Sequence, residues 1–501
     1  MSNNINVTVN GKRLACPAAR TLAEIIKGEQ PCGGHGRCGK CKVIVKGNIS
    51  EPSETELALL SKDELSRGIR LACLTYAHGD CEIETVWEPK TAQILTASAL
   101  SEFELKPTFS ICGAAIDIGT TTLVARLYDA HGNMLAEAAL LNSQSEYGAD
   151  VISRIEAALD GKASELATAI RTDLNNIIGK LAASAKIDAQ SIQSVVITGN
   201  TVMLCLLTEQ DTEPFSHAPF EAERLFGETL TARELALSSL HSDTQIYLPP
   251  CISAFVGADT VCALLATRLC EHDTAMLADI GTNGEMALWH DGHLTVCSTA
   301  AGPAFEGVGI SMGMRGETGA VDKVTFADGK LNAHVIGDIE PVGICGSGLV
   351  DAVAYMLDAE ILDETGLMEY EPFMIKSPVR LIQRDIRMLQ LAKSAICAGL
   401  LTLTQSAGLD ASDIPRLYIA GGFGSYLNRQ NAAKIGLLPA SLAQSSQTVG
   451  NAALGGASML LLNTDMREIA SQLASTADTL HLAANPVFSE HYMFCMMFEQ
   501  M

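Results

Sequence analysis

The sequence predicts an α/β protein with a small β-rich domain at the N-terminus and two similar α/β lobes after it. A short apolar strand that runs into Asp-Ile-Gly-Thr occurs twice, at 117–120 and at 279–282. A loop over 32–41 carries three cysteines in the spacing C-x5-C-x2-C. A repeated strand–turn unit indicates duplicated lobes, and a cysteine-rich loop indicates a separate metal-binding module. The predicted domains are 1–87, a linker over 88–108, lobe one over 109–270 and lobe two over 271–501.

Composition excludes several classes of function. The chain has 501 residues, enough for two or three domains with cores of their own. Its net charge of −24 argues against nucleic acid or an anionic membrane as partner. We find no apolar run near the ~20 residues that span a bilayer. The first residues lack a basic segment followed by an apolar one, so we expect no signal peptide and a cytoplasmic location.

The cysteine loop predicts an iron–sulfur site. Cys32, Cys38 and Cys41 would supply three thiolates from a glycine-rich loop whose backbone N–H groups can face sulfide. A fourth thiolate must come from farther along the chain. Cys73 is the preferred candidate, and Cys81 is the alternative. The other cysteines, of 15 in all, are expected to be reduced and mostly buried.

This module resembles a ferredoxin that carries a [2Fe–2S] cluster, with five residues in the first gap as in its adrenodoxin-like branch. The resemblance implies a β-grasp ferredoxin-like fold for residues 1–87. A zinc site is the alternative, but zinc sites usually show a second short cysteine pair, which this segment lacks. His35 is expected to be a surface residue of the loop and not a ligand.

The two Asp-x-Gly-Thr turns predict a nucleotide site between the lobes. Such a turn offers backbone N–H groups and threonine hydroxyls to phosphate, and its aspartate can hold Mg²⁺ through water. The catalytic candidates are Asp117 and Asp279, with Glu285 and Asn200 as groups that position water. The candidate phosphate-binding residues are Gly119, Thr120, Thr121, Thr122, Gly281, Thr282 and Asn283. The alternative is two unrelated turns that share four letters by chance.

Later glycine clusters complete the predicted nucleotide site. Gly346 and Ser347 lie in a turn that opens a helix. A buried strand over 417–420 ends in glycines that let an adenosine moiety approach the backbone. The residues predicted there are Gly421, Gly422, Phe423 and Gly424. A helix of small residues after Gly450 is expected to pack tightly between the lobes.

The order of these motifs is phosphate, connector, phosphate, adenosine, connector. It resembles the acetate and sugar kinase, Hsp70 and actin (ASKHA) superfamily, which implies a duplicated, two-lobed actin/Hsp70-like ATPase of the ribonuclease H-like type. Together with the ferredoxin-like module, the chain resembles ATP-dependent reductive activators of corrinoid proteins. The resemblance implies ATP and Mg²⁺ as cofactors beside the cluster. It also implies transfer of one electron to Co(II), which restores Co(I) in a methyltransferase or O-demethylase system.

The resemblance also implies partners. They are a corrinoid protein and an upstream electron donor, which is a ferredoxin, a flavodoxin or a reductase; a homodimer is possible. We expect the corrinoid protein to dock at the loop 298–306 and the linker 88–108 to let the cluster reach the cobalt. The alternative for that loop is that it only lines the nucleotide cleft.

Three other functions fit part of the pattern. A small-molecule kinase would use the same lobes but no cluster. A ferredoxin-type electron carrier with a regulatory nucleotide domain would use the cluster but leave most of the chain unexplained. An activator of 2-hydroxyacyl-CoA dehydratases shares the ATPase lobes but bridges one [4Fe–4S] cluster between subunits. An absorption spectrum with iron and sulfide analysis would separate the kinase from the others.

Overall fold

A computed structural model describes residues 4–26, 36, 39, 41–85, 103–327 and 330–499. The chain divides into two compact units. The first comprises Met1–Lys90 and Asn142–Ile170, and the second comprises Thr91–Leu141 and Arg171–Met501. Most of the predicted linker, together with Cys32, His35 and Cys38, lies outside the described residues.

The first unit contains a mixed β-sheet with short helices. Its elements are β1 (Asn4–Val9), β2 (Lys12–Pro17), β3 (Arg20–Thr21), α1 (Leu22–Ile26), β4 (Lys42–Ile49), α2 (Glu54–Leu59), α3 (Lys62–Ser66), β5 (Ile69–Leu71) and β6 (Tyr76–Thr85). The strand order is β2-β1-β6-β4-β5, with β3 paired to β6. Strand β1 is antiparallel to β2 and parallel to β6, as the predicted β-grasp fold requires.

Local sequence explains the start of this sheet. Asn10 and Gly11 both have positive φ, 47° and 81°, which is the backbone of a type I′ hairpin turn. The hydroxyl of Thr21 then accepts a hydrogen bond from the backbone N–H of Glu24 at 3.3 Å and so caps α1. Alternate residues of the central strands, among them Val7 and Val43, are fully buried and form the core.

The remaining part of the first unit is helical. Helix α4 (Val151–Ala157) begins at Asp150, whose carboxylate accepts a hydrogen bond from the N–H of Ser153. Helix α5 (Ala163–Ala185) begins in the first unit and ends in the second. The buried guanidinium of Arg154 donates to the carbonyl of Gly148 at 2.9 Å, which satisfies a charge that would otherwise be costly to bury.

The second unit begins with a six-stranded sheet. Its elements are β7 (Cys112–Ile118), β8 (Thr122–Asp129), β9 (Met134–Leu141), β10 (Ile192–Gly199), α6 (Thr201–Leu207), β11 (Glu228–Thr231), β12 (Gln245–Leu248) and α7 (Ala258–Thr267). The strand order is β11-β12-β10-β7-β8-β9. Strand β7 is antiparallel to β8 and parallel to β10, which is in turn parallel to β12.

A second sheet repeats this arrangement. The elements of the rest of the chain are β13 (Thr274–Ile280), β14 (Gly284–His290), β15 (His293–Thr299), β16 (Ala320–Ala327), β17 (Lys330–Val335), β18 (Gly343–Ile344), α8 (Gly346–Asp358), β19 (Phe373–Lys376), β20 (Val379–Leu381), α9 (Gln383–Ser406), β21 (Leu417–Ala420), α10 (Arg429–Lys434), α11 (Ala440–Ser445), β22 (Ser446–Gly450), α12 (Ala452–Leu462), α13 (Met466–Thr476), β23 (Asp478–Thr479) and α14 (Pro486–Phe494). The strand order is β22-β21-β13-β14-β15-β23. Strand β13 is antiparallel to β14 and parallel to β21, as β7 is to β8 and β10. The predicted duplication is confirmed.

Two features of the second unit bear on the boundaries predicted between its lobes. Helix α12 lies within the predicted lobe two but packs against α7, β7 and β10, which belong to the predicted lobe one. At the other end, the backbone N–H of Lys106 donates to the carbonyl of Leu462 at 2.8 Å, so the end of the predicted linker is attached to α12. Helix α9 is long and apolar enough to cross a membrane, but 78% of its apolar window is buried, as in the core helix of a folded domain.

Candidate functional site

The described cysteines of the first unit include one close pair. The Sγ atoms of Cys41 and Cys73 lie 3.2 Å apart, and both residues are buried. Cys41 immediately precedes β4, and its carbonyl accepts a hydrogen bond from the N–H of Ala72 at 2.8 Å. This backbone contact aligns the end of the cysteine loop with the segment that carries Cys73. Thiolates that converge in this way fit an iron–sulfur cluster.

Gly36, which belongs to the predicted cysteine loop, lies close to the residue that follows Cys73. Its φ is +67°, and a Cβ atom built on it would lie 2.9 Å from the side chain of Leu74. A side chain at this position would therefore be strained and would clash with the neighbour of Cys73. The other predicted ligands in the loop, Cys32 and Cys38, lie outside the described residues.

Cys81 lies in a different environment. It is in β6, opposite Val7 of β1 and Gly47 of β4. Burial raises the pKa of the Cys81 thiol, and the charges of Cys16 and Asp80 raise it further. Cys73 stays the predicted fourth ligand, and Cys81 stays the alternative.

A buried carboxylate accepts hydrogen bonds from residues on both sides of Cys73 in the sequence. Glu56 is fully buried and accepts hydrogen bonds from the guanidinium of Arg70, at 3.0 and 2.9 Å. Its carboxylate also accepts from the N–H of Leu71 and the hydroxyl of Thr75, each at 3.0 Å. The predictions from sequence missed this role; the only signal was the Ser-x-x-Glu capping box that begins at Ser53.

The second candidate site is a cavity of about 330 Å³ in the second unit. Residues from both repeated sheets line it, and they include all but one of the residues predicted for the nucleotide site. Those present are Asp117, Gly119, Thr120, Thr121, Thr122, Asn200, Asp279, Gly281, Thr282, Asn283, Glu285, Gly346, Ser347, Gly421, Gly422 and Phe423. Gly424 is not a lining residue; its Cα faces Ile419, where an added Cβ would lie 2.5 Å from that side chain.

Asp117, Asp259, Asp279 and Glu285 are four of the carboxylates that line this cavity. Burial, together with the charge of Asp259, raises the pKa of Asp117 and of Asp279 to about 7, although the hydrogen bond from Asn451 acts in the opposite direction on Asp117. Burial raises the pKa of Asp259 itself to about 6. Burial and the charges of Asp259 and Asp279 also raise the pKa of Glu285 well above its ordinary value. These half-buried side chains line one cavity, where their charges repel each other with less screening than in water.

Asp259 was not among the predicted site residues. It lies in the first turn of α7, after Gly257, and its carboxylate accepts a hydrogen bond from the N–H of Thr260 at 2.7 Å. Its charge acts on Asp117, Asp279 and Glu285 alike. The available signal was an acidic residue that opens an otherwise apolar helix.

Glu306 joins the two predicted phosphate turns. Its carboxylate accepts a hydrogen bond from the hydroxyl of Thr121 at 2.8 Å and another from the hydroxyl of Thr282 at 2.6 Å. Glu306 ends the loop 298–306 and lines the cavity. At Glu306 the loop therefore lines the cleft, which is what the alternative interpretation of this loop predicts. Docking of a corrinoid protein at the rest of the loop stays a prediction.

The turn that follows strand β21 lines the same cavity. Gly421 has a φ of +90°, and a Cβ atom on it would lie 2.5 Å from Oδ1 of Asp279. Only glycine lets the chain turn there beside the carboxylate. The ring of Phe423 stacks on that of Phe305, with centroids 4.5 Å apart and planes at 19°. The positively charged residue Arg315 also lines the cavity.

Two polar side chains at the cavity are held by helix starts. Asn200 caps α6, because its Oδ1 accepts from the N–H of Val202 at 3.0 Å. Asn451 caps α12, and its Nδ2 donates to Oδ2 of Asp117 at 2.9 Å. Asn451 was not predicted as a site residue, because a pattern of residues cannot show that it meets Asp117.

Comparison with known proteins agrees with both sites. Residues 6–78 match a 2Fe-2S iron-sulfur cluster binding domain. Residues 112–272 match the RACo middle region, and residues 273–501 match the C-terminal domain of RACo, the ASKHA domain.

Relatives that match most of the chain are also found. The corrinoid activation enzyme RamQ of Eubacterium limosum is 35% identical over 419 residues, which cover 77% of this chain and 70% of that protein. A Co(II) methylated amine-specific corrinoid protein reductase of Methanosarcina barkeri is 26% identical over 417 residues, 76% of each chain. A solved structure of a reductive activator for corrinoid, iron-sulfur protein is 28% identical, covers 98% of both chains and superposes with a TM-score of 0.73. The chain therefore belongs to the family of ATP-dependent reductive activators of corrinoid proteins.

Proposed function

We propose that this protein uses ATP to drive the transfer of one electron to the Co(II) form of a corrinoid bound to a partner protein, which restores Co(I). The observation that carries the proposal is the presence, in one chain, of the Cys41–Cys73 pair and the carboxylate-lined cavity. The names of the relatives support the choice of a corrinoid protein as substrate. A small-molecule kinase has no use for the cysteine pair.

The cysteine pair supports a [2Fe–2S] cluster on Cys32, Cys38, Cys41 and Cys73. When bound, the cluster would supply one electron at a time. The protein's own contribution is to hold the ligands: Glu56 fixes the segment of Cys73 through four hydrogen bonds, and the buried setting limits access of water. A ferredoxin, a flavodoxin or a reductase would return the electron.

The cavity supports binding of ATP with Mg²⁺. Asp117, Asp259 and Asp279 would hold the metal ion through water, because a divalent cation relieves the mutual repulsion of buried carboxylates and the described residues contain no group of three or more His, Cys, Asp or Glu side chains placed to bind it directly. The turns at Thr121 and Thr282 would bind phosphate oxygens. When bound, Mg²⁺ would neutralise charge on the phosphates during hydrolysis.

Groups in the same cavity would position the attacking water. Glu285 can accept a proton, whereas the amide of Asn200 can only form hydrogen bonds. We therefore assign the role of general base to Glu285 and a positioning role to Asn200. Because burial raises the pKa of Glu285, it would act as a base only when a nearby cation favours its ionised form.

ATP is needed because the transfer is uphill. Co(I) is a strong reductant, and each 59 mV of unfavourable potential lowers a one-electron equilibrium constant by about tenfold. A plant-type [2Fe–2S] cluster has a potential of about −400 mV. Nucleotide can shift the balance if it binds two conformations of the protein, or of its complex with the corrinoid protein, with different affinity. A cytoplasmic location and a homodimer remain compatible with this function.

The proposal is tested by reduction of a purified Co(II) corrinoid protein, followed through its visible absorbance. Chemically reduced activator with Mg²⁺ and ATP should convert Co(II) to Co(I). Activator without ATP should give a much lower yield. Equal yields with and without ATP would contradict the energetic coupling, and no reduction under either condition would contradict the substrate.

A further inference from the structure

The side chain of Asn451 forms one hydrogen bond through each end of its amide group. Its Oδ1 accepts from the backbone N–H of Leu454 at 2.7 Å, at the start of α12. Its Nδ2 donates to Oδ2 of Asp117 at 2.9 Å. Because only the oxygen end of the amide can accept from the helix N–H, the cap turns the donor end toward Asp117.

Helix α12 holds Asn451 in a fixed position. All the residues of α12 are buried, and the helix packs on α7 and on strands β7 and β10. A Cβ atom on Gly456 would lie 1.9 Å from the carbonyl oxygen of Cys262, so α12 and α7 approach at backbone distance. The donor that meets Asp117 is therefore part of a rigid pair of helices.

The backbone beside Asn451 also contacts the predicted adenosine turn. The carbonyl of Gly450 accepts a hydrogen bond from the N–H of Gly421 at 3.2 Å. Gly421 in turn lies against Asp279, as its missing side chain allows. The segment 450–451 thus contacts both Gly421, which follows strand β21, and the carboxylate of Asp117 in strand β7.

We infer that Asn451 is a positioning residue for the metal ion of the nucleotide site. It holds one oxygen of Asp117 and thereby sets the orientation in which the carboxylate meets the metal. This inference rests on the proposed role of Asp117 in holding Mg²⁺. Partners of this kind, which bind a metal ligand and not the metal, typically change metal affinity by about 10- to 100-fold when they are removed.

The test separates the bond to Asp117 from the helix cap. Asn451→Ser keeps a side-chain oxygen that caps α12 but has no amide donor, and Asn451→Gly is a second variant because glycine is tolerated at this position. Asn485→Ser is the matched control: Asn485 caps α14, with its Oδ1 2.9 Å from the N–H of Val487, and is not a lining residue of the cavity.

Mn²⁺ in the presence of ATP is the probe, and its binding to the full-length protein is followed by electron paramagnetic resonance of the free ion. We expect the dissociation constant for Mn²⁺ to rise about 10- to 100-fold in Asn451→Ser and Asn451→Gly. It should stay at the wild-type value in Asn485→Ser. At saturating Mg²⁺, ATP hydrolysis by Asn451→Ser should recover toward the wild-type rate.

Other outcomes overturn the inference. If wild type binds Mn²⁺ but both Asn451 variants bind it equally well, Asn451 is only a helix cap. If weaker binding is matched by an equal loss in Asn485→Ser, or accompanied by a fall in melting temperature in both Asn451 variants, the effect is structural. If wild-type protein shows no saturable Mn²⁺ binding with ATP, the proposed metal site fails, and this inference fails with it.

Discussion

The sulfur atoms of Cys41 and Cys73 lie 3.2 Å apart although 32 positions separate the two residues in the chain. Strands β4 and β5 bring them together: Lys42 pairs with Leu71, and the N–H of Ala72 donates to the carbonyl of Cys41. The close approach thus depends on the sheet register. It favours Cys73 over Cys81 as the fourth cluster ligand, which stays a prediction that can be tested directly.

Cys73→Ser should lose or alter the cluster, because a serine oxygen replaces one of four thiolates. Cys81→Ser is the matched control, since Cys81 is also buried in this domain but lies in β6. Iron and sulfide analysis with visible absorbance gives the result. A colourless Cys81→Ser protein beside a coloured Cys73→Ser protein would reverse the assignment.

Glu56→Ala should destabilise the first unit and release the cluster. The change leaves the guanidinium of Arg70 buried without its carboxylate, which typically costs about 3–5 kcal/mol. Glu64→Ala is the comparison, because Glu64 also forms a capping box but pairs with the more exposed Lys42. Chemical denaturation monitored by cluster absorbance should show a large shift for Glu56→Ala and a small one for Glu64→Ala.

Local patterns were enough to predict most of the fold. The Asn10-Gly11 turn, the Thr21 cap and the two Asp-x-Gly-Thr turns each depend on neighbours within a few residues. The duplicated sheets followed from the repeat of one such pattern. The positive φ of Gly421 could be predicted for the same reason, because the turn itself requires a glycine.

Contacts over long distances in the sequence could not be predicted. Asn451 meets Asp117 across 334 positions, and Glu306 meets Thr121 across 185. Asn451 and Glu306 have no spacing or composition that distinguishes them from other caps and loop acids. The role of Asp259 could not be predicted for a similar reason. This residue of α7 is important because of the carboxylates around it, and those belong to strands elsewhere in the sequence.

Asp117→Asn and Asp279→Asn should each lower ATP hydrolysis by about 100-fold, because each removes a charge that would hold Mg²⁺. The iron content should not change, since neither residue belongs to the first unit. Asp358→Asn is the control: that carboxylate is exposed and pairs with Lys434. Hydrolysis at the wild-type rate in both site variants would contradict the proposed duplicated phosphate site.

The same carboxylates predict how stability depends on pH without metal. Their pKa values rise from the ordinary 3.8 to about 7 for Asp117 and Asp279 and to about 6 for Asp259. Between pH about 4 and about 7 the folded protein therefore binds more protons than the unfolded chain. Stability should fall as pH rises through this window and should stay level with respect to these groups above it.

Melting in the presence of EDTA at pH 5 and pH 8 checks this prediction. Asp279→Asn should lose part of the difference between the two pH values. Added Mg²⁺ should raise the melting temperature more at pH 8 than at pH 5, because protons compete with the metal for the carboxylates. A wild-type protein that gains stability from pH 5 to pH 8 without metal, with Asp279→Asn unchanged, would contradict the assigned shifts.

Glu306→Gln should strengthen ATP binding. The wild-type carboxylate accepts hydrogen bonds from Thr121 and Thr282, the hydroxyls that we assign to phosphate, and its charge repels phosphate. Removal of about 1 kcal/mol of repulsion would lower the KM for ATP about fivefold. Glu340→Gln, which changes an exposed carboxylate of the same lobe, should leave KM unaltered.

The same variant tests whether the loop 298–306 links the nucleotide to the corrinoid protein. If the partner docks on this loop and its binding changes ATP affinity, ATP must change partner affinity by the same factor. The KM for ATP of the wild-type protein should then shift when saturating corrinoid protein is added. Because Glu306 ties the end of the loop to both phosphate turns, Glu306→Gln should reduce that shift. An equal shift in both proteins would place the coupling elsewhere, and no shift in the wild type would contradict the proposed link between the loop and the nucleotide.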